Sequence, residues 1–235
     1  MESAKVISRN GTVMIKGGVL GKGDAYVYGK TAIHVAFAQE ATLETDGMLT
    51  IDKHCLHCKC KCDIFEAKEH GSSIVGGHIN AYKHVEAYQV GNHKGVKTRI
   101  SLVDKNIEEN EEKLEKLDDV KKIILHKLEP IKNQVQSKAA IFKKAKDLVT
   151  ANQKIELKKW VDKYNDLNNK LKYVEQKIGE LKESLKPRLD YDGYIKASGD
   201  VFPETIITMY GFTKKVDFKM TNKVFWVKKG TIFGG

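Results

Sequence analysis

Proline and arginine are scarce in this 235-residue chain. The first scarcity permits long helices and strands, and the second argues against a nucleic-acid site. Only three prolines interrupt it, so long helices and strands are permitted along most of its length. Its positive charge rests on 38 lysines against Arg9, Arg99 and Arg188. Nucleic-acid sites usually use arginine, whose planar fork forms paired hydrogen bonds with guanine and phosphate. We therefore expect the net charge of +10 to reflect a solvated lysine-rich surface, with no nucleic-acid partner.

Long apolar runs and widely spaced cysteines are also missing. No apolar run approaches the ~20 residues that a transmembrane helix needs. The first residues, Met1 to Val6, lack the basic-then-apolar order of a secretion signal. All four cysteines lie between Cys55 and Cys62, too close together to join distant elements. We therefore expect reduced thiols in a cytoplasmic protein without a transmembrane segment.

The period of the apolar residues changes twice along the chain. From Thr12 to about Leu102, apolar and polar residues alternate in short runs, and glycine-containing turns such as Asp46-Gly47 separate the runs. Very short strands with small residues between them favour a right-handed parallel β-helix, a solenoid whose inward residues stack in same-position ladders. A β-sandwich, which usually has longer strands and tight hairpins, is the alternative.

A heptad pattern replaces the alternation from Val103 to Leu185. Apolar residues recur at spacings of three and four in two arms, which predicts a coiled coil. Pro130 lies inside the first arm and is expected to kink it or weaken it locally. Thr150 and Gln153 match a capping box at the start of the second arm. A turn within residues 143–153 would make the arms antiparallel.

These changes of period divide the chain into three segments. Residues 1–102 are predicted to form a β-helix, residues 103–186 an antiparallel coiled-coil hairpin, and residues 187–235 returning strands that complete the β module. The predicted fold class is therefore mainly β with inserted α: a right-handed parallel β-helix interrupted by a long antiparallel coiled-coil hairpin. A β-sandwich plus coiled coil remains the alternative.

The cysteine-rich segment has the composition of a metal site, but its spacing argues against one. Cys58, Cys60 and Cys62 alternate with charged residues along one strand, and same-face neighbours in a strand lie ~6.5–7 Å apart. Zinc–sulfur bonds of ~2.3 Å cannot span that spacing. We predict that the three thiols are structural and line the interior. The alternative is a metal or thiol module that uses His54, Cys55, His57 and Cys58.

Three segments resemble a known family. Residues 73–81 are similar to a G-x-I-x-G-G-x-x-x-A stretch, and residues 90–100 to a stretch that leads directly into a coiled coil. Residues 201–207 are similar to an i-x-P-G-V-x-I strand, with Glu204 where the family favours glycine. In this order around the hairpin, the segments resemble the flagellar assembly protein A family, formerly a bacterial domain-of-unknown-function family. The expected structural residues are Gly76, Gly77, Gly91 and Pro203.

The resemblance implies a cytoplasmic bacterial protein that acts without catalysis, through protein–protein contacts, in flagellar assembly or placement. It carries over no catalytic, cofactor or metal residues. It implies partners from the flagellar or polar-localisation machinery, and self-association is a further expectation. Family members are usually longer, so we expect a short or truncated member in which Met1 starts mid-solenoid. The competing interpretation is a β-helix carbohydrate-active enzyme, although carboxylates in the β zones are sparse.

Overall fold

The computed structural model describes residues 2–144, 150–186 and 189–235. The chain forms two compact units, Met1–Lys105 with Pro187–Gly235 (the β unit) and Asn106–Lys186 (the helical unit). The strands of the β unit are β1 (Lys5–Ser8), β2 (Val13–Gly29), β3 (Ala32–Thr45), β4 (Met48–Ile51), β5 (His54–Leu56), β6 (Lys59–Ala67), β7 (Ser73–Val75), β8 (His78–Ala87), β9 (Gln89–Val90), β10 (Thr98–Leu102), β11 (Tyr194–Val201), β12 (Thr205–Met209), β13 (Phe212–Lys215), β14 (Met220–Lys228) and β15 (Thr231–Gly234).

Successive rungs of the β unit stack in parallel and in register, which makes it a β-solenoid of about five turns. Three buried ladders form its core. The first contains Val13, Ile33, Leu49, Phe65, Val85 and Ile195. The second contains Val27, Leu43, Cys60, Ile79, Ile100 and Ile207. The third contains Val19, Ala38, Cys55, Ile74, Val90 and Val201. The predicted solenoid is confirmed, and the β-sandwich alternative is wrong.

Two strands are longer than the sequence pattern predicts. β2 has 17 residues and β3 has 14, because backbone pairing continues through bends where the pattern indicates turns. The register shifts between Ile15 and Gly18 and again between Leu20 and Ala25. These irregularities turn the strand without ending it, as β-bulges do.

Antiparallel strands cover one end of the parallel stack. β13 pairs with β12, and β14 pairs with β11 and β15. Tyr210-Gly211 connects β12 to β13, and Lys229-Gly230 connects β14 to β15. All four residues have positive φ. Two-residue turns with this backbone match the twist of antiparallel strands. They allow the last parallel rungs to be paired instead of exposed.

The helical unit contains two long helices, α1 (Lys105–Lys144) and α2 (Ala151–Ser184). The capping box predicted at Thr150 is confirmed: its Oγ accepts from the Gln153 backbone, and the Gln153 side chain accepts from the Thr150 backbone. α1 continues through Pro130. Residues 145–149, within the predicted turn, lie outside the described residues. No helix in the described part of the chain is long and apolar enough to cross a membrane.

Polar contacts between α1 and α2 show that the helices run antiparallel. Lys121 Nζ lies 3.0 Å from Glu175 Oε1, and Lys138 Nζ lies 2.8 Å from Glu156 Oε1. Residues later in α1 therefore contact residues earlier in α2. The apolar side chains Leu128, Ile131, Val174 and Ile178 are buried. Leu128 and Ile131 are three residues apart and Val174 and Ile178 are four apart, which are the spacings of the heptad pattern.

We predict that alanine is tolerated much less well at Gly77 than at Gly71. Both glycines have positive φ, +73° and +86°, so either substitution incurs about 1–2 kcal/mol of backbone strain. A Cβ at Gly77 would lie 2.1 Å from the Cys58 carbonyl oxygen, whereas a Cβ at Gly71 meets nothing within 4 Å. Gly77→Ala should therefore lower the free energy of unfolding by a further ~1–3 kcal/mol, as overpacking does. Urea denaturation measures both, and equal losses would contradict the predicted close approach.

Candidate functional site

The four cysteine side chains lie in the solenoid core. Cys55, Cys58 and Cys62 are fully buried, and Cys60 is 3% exposed. All four are free thiols, with the Sγ atoms of Cys55 and Cys60 4.0 Å apart. The Cys58 thiol donates to the Leu56 carbonyl oxygen at 3.3 Å. Two effects raise the pKa of Cys58: the larger is a hydrogen bond with Cys55, and the smaller is burial. Burial also raises the pKa of Cys62.

The structure separates the histidines of the alternative metal set from the thiols. The ring of His54 stacks on Phe37 with 5.1 Å between ring centroids. His57 is exposed, with φ of +52°. Cys55 and Cys58 are buried. Within the described ranges, no three His, Cys, Asp or Glu side chains are grouped so that they could hold a metal ion.

The glycine and proline residues singled out from sequence lie at corners of the solenoid. Gly76 and Gly77 connect β7 to β8, and Gly91 follows β9; all three have positive φ. Pro203 lies between β11 and β12 and precedes Glu204, whose φ is +63°. Glutamate therefore adopts the left-handed backbone for which the family pattern favours glycine.

A row of basic side chains lies on the outer face of the second ladder. Lys59, His78 and Arg99 occupy the same register position on β6, β8 and β10. Each directly precedes a buried ladder residue, so strand alternation directs it outward. Together with Lys61 and Lys97 they line a shallow pocket of about 430 Å³. Neighbouring rungs are ~4.8 Å apart, so the backbone holds these groups close together.

The pocket is strongly positive. Among the described residues of its lining, Glu44 is the one acid, and its carboxylate accepts a 2.7 Å hydrogen bond from Tyr26. His78 Nε2 lies 2.8 Å from Ser101 Oγ. Burial and then the nearby Arg99 charge lower the pKa of His78, so it is mainly neutral at pH 7. The charge of the row is therefore carried by Lys59 and Arg99, on the rungs either side of His78, together with Lys61 and Lys97 in the same lining.

Sequence reasoning missed this pocket because its members are far apart along the chain. Lys59, His78 and Arg99 are separated by about one solenoid turn each. Strand alternation could have indicated that each points outward. The register between rungs brings them into one row, and that register depends on the number of residues in every connection between strands.

The register also brings two carboxylates together on the outer face of the first ladder. Glu66 on β6 is in register with Glu86 on β8. Lys68 Nζ lies 2.9 Å from Glu66 Oε1, and Tyr194 donates to Glu86 Oε1 at 2.9 Å. Asp190 and Asp192, two residues apart in the sequence, precede β11. These are the residue types that the enzyme alternative needs.

We predict that none of the thiols reacts rapidly with a thiol reagent such as Ellman's reagent in the native protein at pH 8. The thiolate is the reactive form, and burial both raises the pKa of Cys62 and blocks access. Denaturant should expose all four thiols to fast labelling. A native thiol that reacts as fast as the unfolded chain would contradict the buried arrangement.

We predict that Arg99→Thr raises the pKa of His78, because the Arg99 charge lowers it. At a pH well below the pKa of His78, where the opposed imidazole is charged, the same substitution should raise the free energy of unfolding at low salt by ~0.2–1 kcal/mol through relief of like-charge repulsion. This gain should shrink as salt screens the charges. NMR titration of His78 measures the first effect and urea denaturation the second. The exposed residue Lys53 lies outside the pocket, so Lys53→Thr should change neither.

Comparison with known proteins matches the fold to one family. Residues 1–232 match the family model described as the Flagellar Assembly Protein A beta solenoid domain. No curated protein and no solved structure is significantly similar to the chain. The match covers the β-solenoid and the helices inserted between its strands, and it confirms the resemblance carried by the glycine and proline motifs. The chain belongs to the Flagellar Assembly Protein A β-solenoid family.

Proposed function

We propose that this chain is a non-enzymatic, cytoplasmic docking protein of bacterial flagellar assembly that binds an acidic segment of a protein partner in its basic pocket. Membership of a family named for flagellar assembly supports the cellular role. The row formed by Lys59, His78 and Arg99 supports the docking role and is the observation that carries the proposal.

The geometry of the row favours an extended acidic peptide. Lys59, His78 and Arg99 repeat at the fixed ~4.8 Å distance between rungs, with the charged Lys59 and Arg99 on either side of His78. The face that carries them cannot deform without disturbing the buried ladder beneath it. Arg99 can bind a carboxylate through two parallel hydrogen bonds, and Lys59 and Lys97 add charge-assisted bonds. Thr42 and Asn80 add neutral hydrogen-bonding groups to the lining. The pocket is shallow, which suits a segment that lies across it.

Positive charge continues beside the pocket. Lys61, one of the lining residues, lies over the ring of Tyr82 at 5.8 Å, and Lys105 lies over the same ring at 5.2 Å. Lys105 Nζ is also 3.4 Å from Asp63 Oδ1. Cation–π contacts hold long lysine side chains in place at moderate energy. The basic surface is therefore larger than the pocket alone, as binding of a charged segment several residues long would require.

We expect the double variant Lys59→Glu/Arg99→Glu to lose function in cells, because reversed charge would repel an acidic partner. A flagellated host lacking the gene would be complemented with this variant, and flagellar number and position counted by electron microscopy. Immunoblotting would establish equal abundance. Lys16→Glu/Lys53→Glu is the matched control, since both lysines are exposed and outside the pocket, and it should restore normal flagella.

Two results would overturn this proposal. One is full complementation by Lys59→Glu/Arg99→Glu at normal abundance. The other is hydrolase or lyase activity of the purified protein that is lost in Glu66→Gln and Glu86→Gln, which would favour the carbohydrate-active enzyme.

A further inference from the structure

The cations of the basic pocket form two pairs with a neutral strip between them. Lys59 and Lys61 lie on β6 (the β6 pair). Lys97 lies immediately before β10 and Arg99 lies within it (the β10 pair). All four line the pocket. β8 lies between these strands and places His78 in register with both Lys59 and Arg99. The two pairs are therefore two strand spacings, or ~9.6 Å, apart.

The neutral strip consists of His78 and Asn80. Both side chains alternate with buried residues of β8, so they face outward into the pocket, and both are half-buried. Burial and then the Arg99 charge lower the pKa of His78, so the strip carries little charge at pH 7. The Asn80 amide can both donate and accept hydrogen bonds. A ligand backbone laid on this strip would therefore meet hydrogen-bonding groups and have positive charge on either side.

The two pairs are staggered along the strand direction. Arg99 shares the register position of Lys59, with His78 between them. Lys61 lies two residues after that position, and Lys97 lies two residues before it. An extended chain has a matching stagger, because its successive side chains point to opposite sides and each is ~3.3 Å further along.

We propose that the acidic segment of the partner contains a run of consecutive aspartates or glutamates, bound in an extended conformation parallel to β8. Its backbone lies over the neutral strip, and its side chains point alternately to the β6 pair and the β10 pair. Four consecutive carboxylates are enough to meet all four cations through charge-assisted hydrogen bonds. This inference rests on the proposed function, because it concerns the same pocket.

The residues beside the pairs favour this placement. Glu44 is in register with Lys61 on the side away from β8, so it repels an acidic segment shifted toward β3. Ile206 is in register with Arg99 on the opposite side, and its side chain offers no charge or hydrogen bond. The acidic segment is therefore confined between the two pairs. A segment with acids only at every second position would point all its carboxylates to one side and reach one pair.

Fluorescence anisotropy of labelled peptides of equal length tests the inference on the full chain. One peptide has four consecutive glutamates among serines and glutamines, and the other has the same composition with glutamate at every second position. We expect the protein to bind the consecutive peptide about tenfold more tightly in low salt, because that peptide alone reaches both pairs.

Removal of one pair separates the geometry from a general effect of charge density. In Lys97→Gln/Arg99→Gln only the β6 pair remains, and in Lys59→Gln/Lys61→Gln only the β10 pair remains. Each peptide can then reach one pair at most. The affinities of the two peptides for either variant should therefore lie within about twofold of each other.

Lys16→Gln/Lys53→Gln is the matched control. It removes the same amount of charge from two exposed lysines outside the pocket. This variant should keep the preference for consecutive glutamates. Urea denaturation would establish that all three double variants remain folded.

Two outcomes would overturn the inference and leave the docking role intact. One is equal affinity of the wild-type protein for the two peptides. The other is a preference that survives removal of either pair, which would assign it to charge density alone. Absence of binding by both peptides in low salt would overturn the docking role and this inference together, so the two failures are distinguishable.

Discussion

The ladder of buried side chains is the constraint on which the β unit depends. Each inward residue must pack on the residue at the same position one rung earlier, ~4.8 Å away, so every turn must return the chain to the same register. This requirement accounts for positive-φ glycines at corners, such as Gly77, where a side chain would collide with the previous rung. It also accounts for the cysteines, since a small apolar thiol fits a narrow interior.

The same constraint produces the outer face. Because β6 and β8 point Cys60 and Ile79 inward, they must point Lys59 and His78 outward at the same spacing. A solenoid therefore converts residues a full turn apart into a straight, rigid row. Lys59 and Arg99, with Lys61 and Lys97 beside them, concentrate positive charge on one face. This works against folding because like charges repel, and residues that oppose folding often serve function. Inward register thus supplies stability, and outward register decides which side chains share one surface.

The sequence was sufficient for the architecture but not for the site. Period-two alternation and heptads predicted a solenoid and two inserted helices, and Thr150 predicted the start of α2. Local patterns could not reveal that β2 and β3 continue through their bends, because tertiary pairing decides where a strand ends. They also could not reveal the basic pocket or the Glu66–Glu86 pair, since both depend on register between turns. The positive φ of Glu204 was visible only through the family preference for glycine.

The central claim is that the outer row of the second ladder is where a partner binds. A photo-crosslinking amino acid placed at position 59, and separately at the exposed position 53, tests it in a flagellated host. The account predicts that position 59 captures one flagellar-assembly protein through an acidic segment, and that position 53 does not. Equal capture at both positions, or capture at neither while the protein is abundant and functional, would contradict it.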